Sequence, residues 1–327
     1  MELSFIIPIY NTPIDVLKRC IDSICELNNV NYEIILVDDG SNEINSKEYK
    51  RINKQGIKIS YYKRKNSGVS ATRNYGLHKS VGEYVMFVDS DDVLYLNNLD
   101  YKLLDNNYDA IYFNYKDIYL SGAIIEKKEI NSNDSCVITP IDIIREFIEF
   151  DKFYAPWNKI FRREFLISNN VEFDTTMING EDAVFNLNVL LADPKMYYCN
   201  QSIYGYYNSI SNYENRVKNK FDSILHDYLY KYNIKIETIK KYNLEYRILK
   251  KIQNDAVNQC FRISMICSKY KMNKAKEISS YIIKFNINKK DLSIVNKIKY
   301  NILNKKRWTS VHFLSKLRNI YLRIKRR

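Results

Sequence analysis

Glu33-Ile-Ile-Leu-Val-Asp-Asp-Gly-Ser41 is the stretch from which the rest of the chain can be read. An unbroken apolar run, Ile34–Val37, leads straight into two carboxylates, a glycine and a serine. A run this short and this β-branched suits a strand covered on both faces, as in a parallel sheet, with turn residues marking its end. Asp38 and Asp39 then fall at the carboxyl end of that strand. The pattern returns in Tyr84-Val-Met-Phe-Val-Asp-Ser-Asp-Asp92, where the apolar Tyr84–Val88 ends in three aspartates. Leu3–Ile9 and Ile57–Tyr62 read as two more buried strands. Between the strands lie helical patterns. Pro13–Leu27 carries Ile14, Leu17, Ile21 and Ile24 on one face, with Pro13 placed to start it, and Ser67–Ser80 follows a glycine-containing turn. Strands alternating with helices predict an α/β fold, a Rossmann-like, mostly parallel sheet flanked by helices. Its ligand crevice should lie at the carboxyl ends of the strands.

Further along, Ala110–Tyr115 extends the sheet and Ser121-Gly122 suggests a hairpin. From Thr139 to about Leu191 the patterns are mainly helical. After Asn212 they are helical throughout, near 216–242, 244–270, 273–286 and 310–325, with Asn- and Lys-rich joints between. The shift in composition near residue 212 is the best domain boundary.

The 327 residues are 46% hydrophobic and 27% charged, ordinary for a folded domain or two. The formal net charge is +13, and eleven Lys or Arg with no acidic residue lie between Lys297 and Arg327. That placement points to anionic partners. The six cysteines, Cys20, Cys25, Cys136, Cys199, Cys260 and Cys267, are scattered, and there are three histidines. Neither a zinc site nor a disulfide framework follows, so a reducing cytosol is expected. The apolar start, Leu3–Tyr10, is too short to span a bilayer and lacks a basic leader. No apolar run reaches the roughly 18 residues of a membrane span.

Carboxylates gathered at one sheet edge repel one another unless a cation or hydrogen-bond donors offset them. Asp89-Ser90-Asp91 has the spacing at which two carboxylates can converge on a hard cation that keeps positions for phosphate oxygens. Asp38 and Asp92 read as turn and capping residues. A second acidic motif, Asn179-Gly-Glu-Asp-Ala-Val-Phe185, combines a glycine turn with Glu181 and Asp182 in a helix's first turn. The helix dipole alone would favour them there. The catalytic reading makes one of them a general base.

Phe5-Ile-Ile-Pro-Ile-Tyr-Asn11, Val37–Ser41, Asn66-Ser-Gly-Val-Ser-Ala-Thr-Arg-Asn74 and Phe87–Asp92 occur in that order. Together they resemble the nucleotide-binding half of the family 2 glycosyltransferases, inverting enzymes of the GT-A fold. The resemblance is dense over residues 1–115 and thinner to about 212. It implies a GT-A domain over 1–212, with 1–115 binding a nucleotide sugar and 116–212 carrying the acceptor side and base. A helical basic region over 213–327 would follow. By the same resemblance, Asp39 accepts a hydrogen bond from uracil, Pro8 and Tyr10 line the base, and Arg73 lies near the nucleotide. Asp89 and Ser90 sit at the ribose or metal shell, and Asp91 coordinates Mn or Mg bridging the diphosphate. Asp182 is the base, with Glu181 supporting acceptor or loop geometry. Ala155-Pro-Trp-Asn-Lys-Ile-Phe-Arg162 is similar to a segment of the polysaccharide-assembling branch. There Trp157 either stacks on a sugar or packs in the core, and Lys159 either lies near phosphate or acceptor or is a surface charge. One departure is the run Tyr204-Gly-Tyr-Tyr-Asn-Ser-Ile-Ser211, which has no arginine where many relatives carry an Arg-containing loop.

In the tail, Val311, Leu314, Leu317, Tyr321 and Ile324 recur at helical spacing. Trp308 and Phe313 add aromatic bulk, with Lys316, Arg318, Arg323 and Lys325 around them. This is either a basic amphipathic helix for an anionic membrane surface or a terminal helix packed on the protein. The expected acceptor is a surface polysaccharide or lipid-linked glycan, worked on at the cytoplasmic face of a bacterial membrane. Protein or teichoic-acid glycosylation by the same chemistry is the alternative. A nucleic-acid partner is not expected, because no zinc-finger, RNP-like or helix-turn-helix pattern is present.

Overall fold

The computed structural model describes residues 1–97, 99–130, 132–150, 152–208, 217–305 and 310–311. Strand β1 (Leu3–Ile9) is buried at every position but Pro8, as a run without polar alternation requires. It pairs in parallel with β2 (Tyr32–Asp38) on one side and with β4 (Tyr84–Phe87) on the other. Beyond β2 lies β3 (Lys58–Lys63), also parallel. The chain thus winds outward from β1 to β2 and β3, then crosses back to place β4 on the opposite side. That reversal is the point at which open α/β sheets form a ligand crevice.

Helices α1 (Ile14–Ile24), α2 (Glu43–Lys50) and α3 (Val69–Lys79) make the connections. Pro13 precedes α1, which buries Leu17, Cys20, Ile21 and Ile24. In α2, the Asn42 side chain caps the helix by accepting from Asn45 N–H. The close seat of α3 on the sheet depends on Gly76: a Cβ there would come 2.3 Å from Cγ2 of Ile6.

The sheet continues past β4 with strands supplied by later parts of the chain. Its order is β3-β2-β1-β4-β9-β6-β10-β5, with β5 (Val93–Leu94), β6 (Ala110–Tyr119), β9 (Lys159–Arg162) and β10 (Met196–Asn208). β9 runs antiparallel to both β4 and β6, β10 runs parallel to β6, and β5 is antiparallel to β10. The hairpin expected at Ser121-Gly122 joins β6 to β7 (Ile124–Lys127), while β8 (Cys136–Ile138) pairs with β10. Helices α4 (Pro140–Phe150), α5 (Arg163–Ser168) and α6 (Glu181–Leu191) complete this part.

Two differences from the sequence reading have plain causes. The stretch 139–191 was expected to be mainly helical, yet it contains β9. A four-residue strand with Lys159 and Arg162 at its ends shows no period. After Leu191 the chain forms the long β10, whose tyrosines gave no clear alternation.

The chain divides into two compact units: Met1–Phe147, Asp151–Met177 and Glu181–Ile210 form one, and Ile148–Phe150, Ile178–Gly180 and Ser211–Arg327 the other. The short inclusions 148–150 and 178–180 could not be placed from a linear boundary at 212. The second unit holds α7 (Phe221–Lys241), α8 (Tyr246–Lys269), α9 (Ala275–Lys284) and α10 (Ile294–Asn304), with α8 packed on the other three. α10 had not been anticipated. The helix expected over 310–325 lies outside the described residues except at 310 and 311, as do Trp308, Phe313 and the tail's basic side chains. Among the described residues, no helix is long and apolar enough to cross a membrane.

Candidate active site at the carboxyl edge of the sheet

All the expected site residues belong to the first unit. The ends of β1, β2 and β4 stand side by side, and a mesh of hydrogen bonds holds them. Asp39 N–H donates to Ile9 O (2.8 Å) and Val88 N–H to Ile6 O (3.0 Å). Asn11 takes a left-handed backbone (φ 51°), its N–H donates to Ser41 Oγ and its Oδ1 accepts from Asn42. Just before it, Tyr10 is left 59% exposed, a ring available at the crevice. Pro8 is half-buried within β1.

Asp38 points inward, as the turn-forming reading requires. Its carboxylate accepts from Ser41 N–H, Ser46 Oγ and Tyr61 OH. Burial works against its charge, but these donors hold its carboxyl below the usual range. Asp39 accepts the N–H groups of Ser67 (2.8 Å) and Gly68 (2.9 Å), one on each oxygen. A carboxylate offers about four lone-pair sites, so both oxygens can still accept from a ligand.

Arg73 is the centre of the arrangement. It was expected near the nucleotide, and it is 3% exposed rather than a surface residue of α3. One guanidinium nitrogen donates to Asp182 (2.7 Å) and another to Asp89 (2.8 Å), so one side chain ties the Asp-x-Asp turn to the candidate base. Burial opposes its charge, but Asp182 and Asp89 hold the guanidinium firmly protonated. Among the described residues its buried Nε–H finds no acceptor.

Aromatic packing fixes both partners. Phe173 and Phe185 stack at 4.0 Å and Phe87 meets each edge-on, while Arg73 lies over Phe173. Asn74, next to Arg73, exchanges two hydrogen bonds with the backbone of Phe173. Phe185 is one turn beyond Asp182, so the same cluster seats α6.

Asp182 keeps 32% of its side chain accessible despite the ion pair. Burial pushes its carboxyl up, Arg73 pulls it back, and Glu181 and Asp89 push again, leaving it at about 7. Glu181 is half-buried at the start of α6.

The Asp-x-Asp turn is braced from behind. Ser90 Oγ and Thr12 Oγ1 are 2.7 Å apart, and Arg19 donates to the carbonyl of Asp91 (2.7 Å) while lying over the Tyr207 ring. The Asp91 carboxyl is raised, by desolvation first and then by the charge of Asp89. The Tyr204 hydroxyl oxygen accepts from Asp89 N–H, and its own O–H donates to Asp92 Oδ2 (2.7 Å). Asp92 also accepts from Tyr207 N–H, and its burial raises it to about 8. Asp92 therefore stitches the turn to β10. Sequence reasoning missed Thr12 and Tyr204. Neither carries a clear local signal: Thr12 lies just before α1, and Tyr204 is one of several tyrosines in β10.

A divalent cation fits this edge. Among the described residues no cluster of three or more His, Cys, Asp or Glu forms a protein-only cage. Asp89 and Asp91 present carboxylates whose mutual repulsion a cation would relieve, which suits a metal bound by one or two carboxylates and completed by phosphate and water.

For Trp157 the packed alternative holds, and for Lys159 the surface-charge alternative fails. Trp157 is 8% exposed, stacked on Tyr204 (4.4 Å) and Tyr206 (5.4 Å) with Tyr115 against its edge, so no face is open to a sugar. Lys159 is fully buried rather than a surface charge. It donates to Ala155 O and Asn158 Oδ1, and burial pulls its ammonium down to about 8 against the attraction of Glu129 and Asp182.

A parallel Rossmann-like half with acidic strand ends, followed by a helix that opens on two carboxylates, is the GT-A architecture. The chain belongs to glycosyl transferase family 2, whose family model matches residues 4–167. It is 29% identical to the glycosyltransferase GlyA of Streptococcus pneumoniae serotype 4, over 63% of this chain and 30% of that protein. It is 30% identical to the poly(ribitol-phosphate) beta-N-acetylglucosaminyltransferase TarP of Staphylococcus aureus, over 65% of this chain and 64% of TarP. The match thus spans under a third of GlyA and somewhat less than two thirds of TarP. Among solved structures, residues 1–349 of S. aureus TarS in complex with UDP-GlcNAc share the fold, with a TM-score of 0.58 and 16% identity, covering 95% of this chain and 92% of that one.

Proposed function

We propose that this chain transfers a hexose or N-acetylhexosamine, with inversion, from a nucleotide-diphosphate donor, UDP-linked, to a hydroxyl of a surface glycan. The observation that carries this reading is the single guanidinium of Arg73 held between Asp89 and Asp182. It sets the donor's diphosphate edge and a partly accessible base in one electrostatic unit.

Asp39, with lone pairs to spare, receives the uracil N–H, beside Pro8 and Tyr10. Asp89 and Asp91 would hold Mn or Mg, with Ser90 beside them. When bound, that cation would offset charge on the departing diphosphate. Asp182 takes the acceptor hydroxyl's proton as the new oxygen–carbon bond forms on one face of the anomeric carbon and the bond to diphosphate breaks on the other. No covalent intermediate is needed. A carboxyl raised to near neutrality is suited to this step, since a substantial fraction is ionised near neutral pH and it is basic enough to accept a proton. Glu181 supports the loop. The basic tail places the enzyme peripherally on an anionic cytoplasmic membrane face, where lipid-linked acceptors would be met.

A second reading of the acceptor is favoured by specific observations. TarP and a Bacillus spizizenii relative are named as poly(ribitol-phosphate) sugar transferases, and a net charge of +13 suits a polyphosphate acceptor. The test is nucleotide diphosphate release from UDP-, GDP- and dTDP-sugars with Mn or Mg, with EDTA, and with Asp91→Ala and Asp182→Asn. Turnover of one donor, lost with EDTA and in both variants, supports the proposal. Failure of every donor to bind in the presence of metal overturns it.

A further inference from the structure

The backbone of the Asp89–Asp92 turn is anchored by the protein itself. Asp92 N–H closes the turn onto Asp89 O (3.2 Å), and the same carbonyl receives Cys20 Sγ–H from α1 (3.6 Å). Arg19 takes the carbonyl of Asp91. Directly after the turn, Val93 and Leu94 of β5 pair with Gly205 and Tyr204 of β10, and Tyr95 N–H donates to Ile203 O (2.8 Å). Gly205 allows that pairing. A Cβ there would come 2.8 Å from Val93 Cγ2 and 2.9 Å from Ile118 Cδ1. Tyr204 is fully buried, and Trp157 lies nearly flat on its ring at 4.4 Å, which holds the phenol in place. Its hydroxyl meets both ends of the turn: the oxygen accepts from Asp89 N–H (3.1 Å), and the O–H donates to Asp92 Oδ2. Asp92 thereby fixes the direction of the O–H and leaves an oxygen lone pair for Asp89.

We propose that Tyr204 is a positioning residue for the divalent cation. Its hydroxyl presets the backbone from which Asp89 and Asp91 present their carboxylates, so the cation site stands before any nucleotide arrives. This rests on the assignment of those two carboxylates to the cation above. Tyr204 is buried behind the turn and acts only through it. Without the phenol oxygen, Asp92 Oδ2 and Asp89 N–H each lose a partner, and a buried polar group left unpaired is costly. The turn must shift to recover those bonds. A binding constellation tolerates only about 0.5 Å of such movement before its geometry is lost.

The test uses the full chain and titrates Mn by its electron paramagnetic resonance signal, with and without UDP. UDP binding without metal is measured separately. Tyr204→Phe keeps the ring on Trp157 and removes one oxygen. It is expected to weaken Mn binding about tenfold, while metal-free UDP affinity stays within about twofold of wild type. Hydrogen exchange at the Asp89 amide should accelerate in the metal-free variant while strands β1 and β2 stay protected. Neither readout needs turnover. Wild-type Mn affinity in folded Tyr204→Phe overturns the proposal, and so does unchanged exchange at Asp89. Where Tyr204→Phe loosens β1 and β2 as well, Asp92→Asn carries the test. Its amide oxygen accepts the phenol without charge, so the bond weakens and exchange at Asp89 should still accelerate. Loss of a charge near the cation does not itself move that readout, and wild-type exchange there sinks the proposal. Asp91→Ala, run alongside, separates the two claims. If it binds Mn as wild type does, or wild type binds none, the cation assignment fails and the positioning role with it. If Asp91→Ala loses Mn while Tyr204→Phe keeps it, the positioning role fails alone.

Discussion

Arg73 does by geometry what a lysine at the same place cannot. Two guanidinium nitrogens reach two carboxylates at 2.7 and 2.8 Å, whereas an ammonium offers a single compact charge. Arg73→Lys is expected to keep the fold and lose at least about tenfold in kcat/KM. Equal activity in the lysine variant would mean that charge, not bridging, is what matters. The raised Asp182 carboxyl gives a second expectation. Protonated, it cannot accept the acceptor's proton, so kcat/KM should climb as pH rises through about 7. A profile flat from mildly acidic to mildly alkaline pH would remove Asp182 as the base. The acidic residues of this site were legible in the sequence because each follows a buried strand or opens a helix. Their pairing through Arg73 was not legible: no local spacing links residues 109 apart in the chain. The alternatives at Trp157 and Lys159 stayed open for a related reason. A polar or aromatic residue carries its surface-like reading until the tertiary fold shows what covers it.

At the scale of elements, the seat of α3 on β1 decides where Arg73 stands. Gly76→Ala tests it, with two effects of opposite sign. Alanine gains up to about 1 kcal/mol in helix propensity over glycine. Forcing a Cβ into a gap already closed by Ile6 costs about 1–3 kcal/mol, so overpacking should prevail. The variant should melt lower and turn over more slowly, and a rise in Tm would show that α3 can lift without penalty. The first four strands were readable to within a residue or two, three of them as uninterrupted apolar runs and β3, Lys58–Lys63, as a half-buried one. α3 was placed to within two residues, α1 ends three residues before the expected Leu27, and α2 was not read. β9 and β10 were not. One is four residues long with charged ends, and the other is dominated by tyrosines that suit either face. α10 was hidden because Ile294, Val295 and Ile298 stay exposed, so its apolar residues do not mark the buried face.

For the molecule as a whole, charge placement makes the prediction. With eleven basic residues and no acidic one from Lys297 onward, the full chain should sediment with vesicles rich in anionic phospholipid and not with zwitterionic ones. Raising salt well above the level at which the Debye length is about 10 Å should release it. Binding to neutral vesicles, or binding indifferent to salt, would point away from an electrostatic surface. The bracing of the acidic turn by Tyr204 also bears on how the protein is made. Asp89 and the hydroxyl that holds its backbone are 115 residues apart. A chain emerging from the ribosome therefore exposes its Asp89–Asp92 turn long before the strand that secures it exists. For the first part of that interval, until β9 is made, β4 has no neighbour on its outer edge, an exposure that chaperones or rapid synthesis would limit. A chain that ends before β10 would carry every residue of the donor motifs and still lack a rigid place to bind the donor.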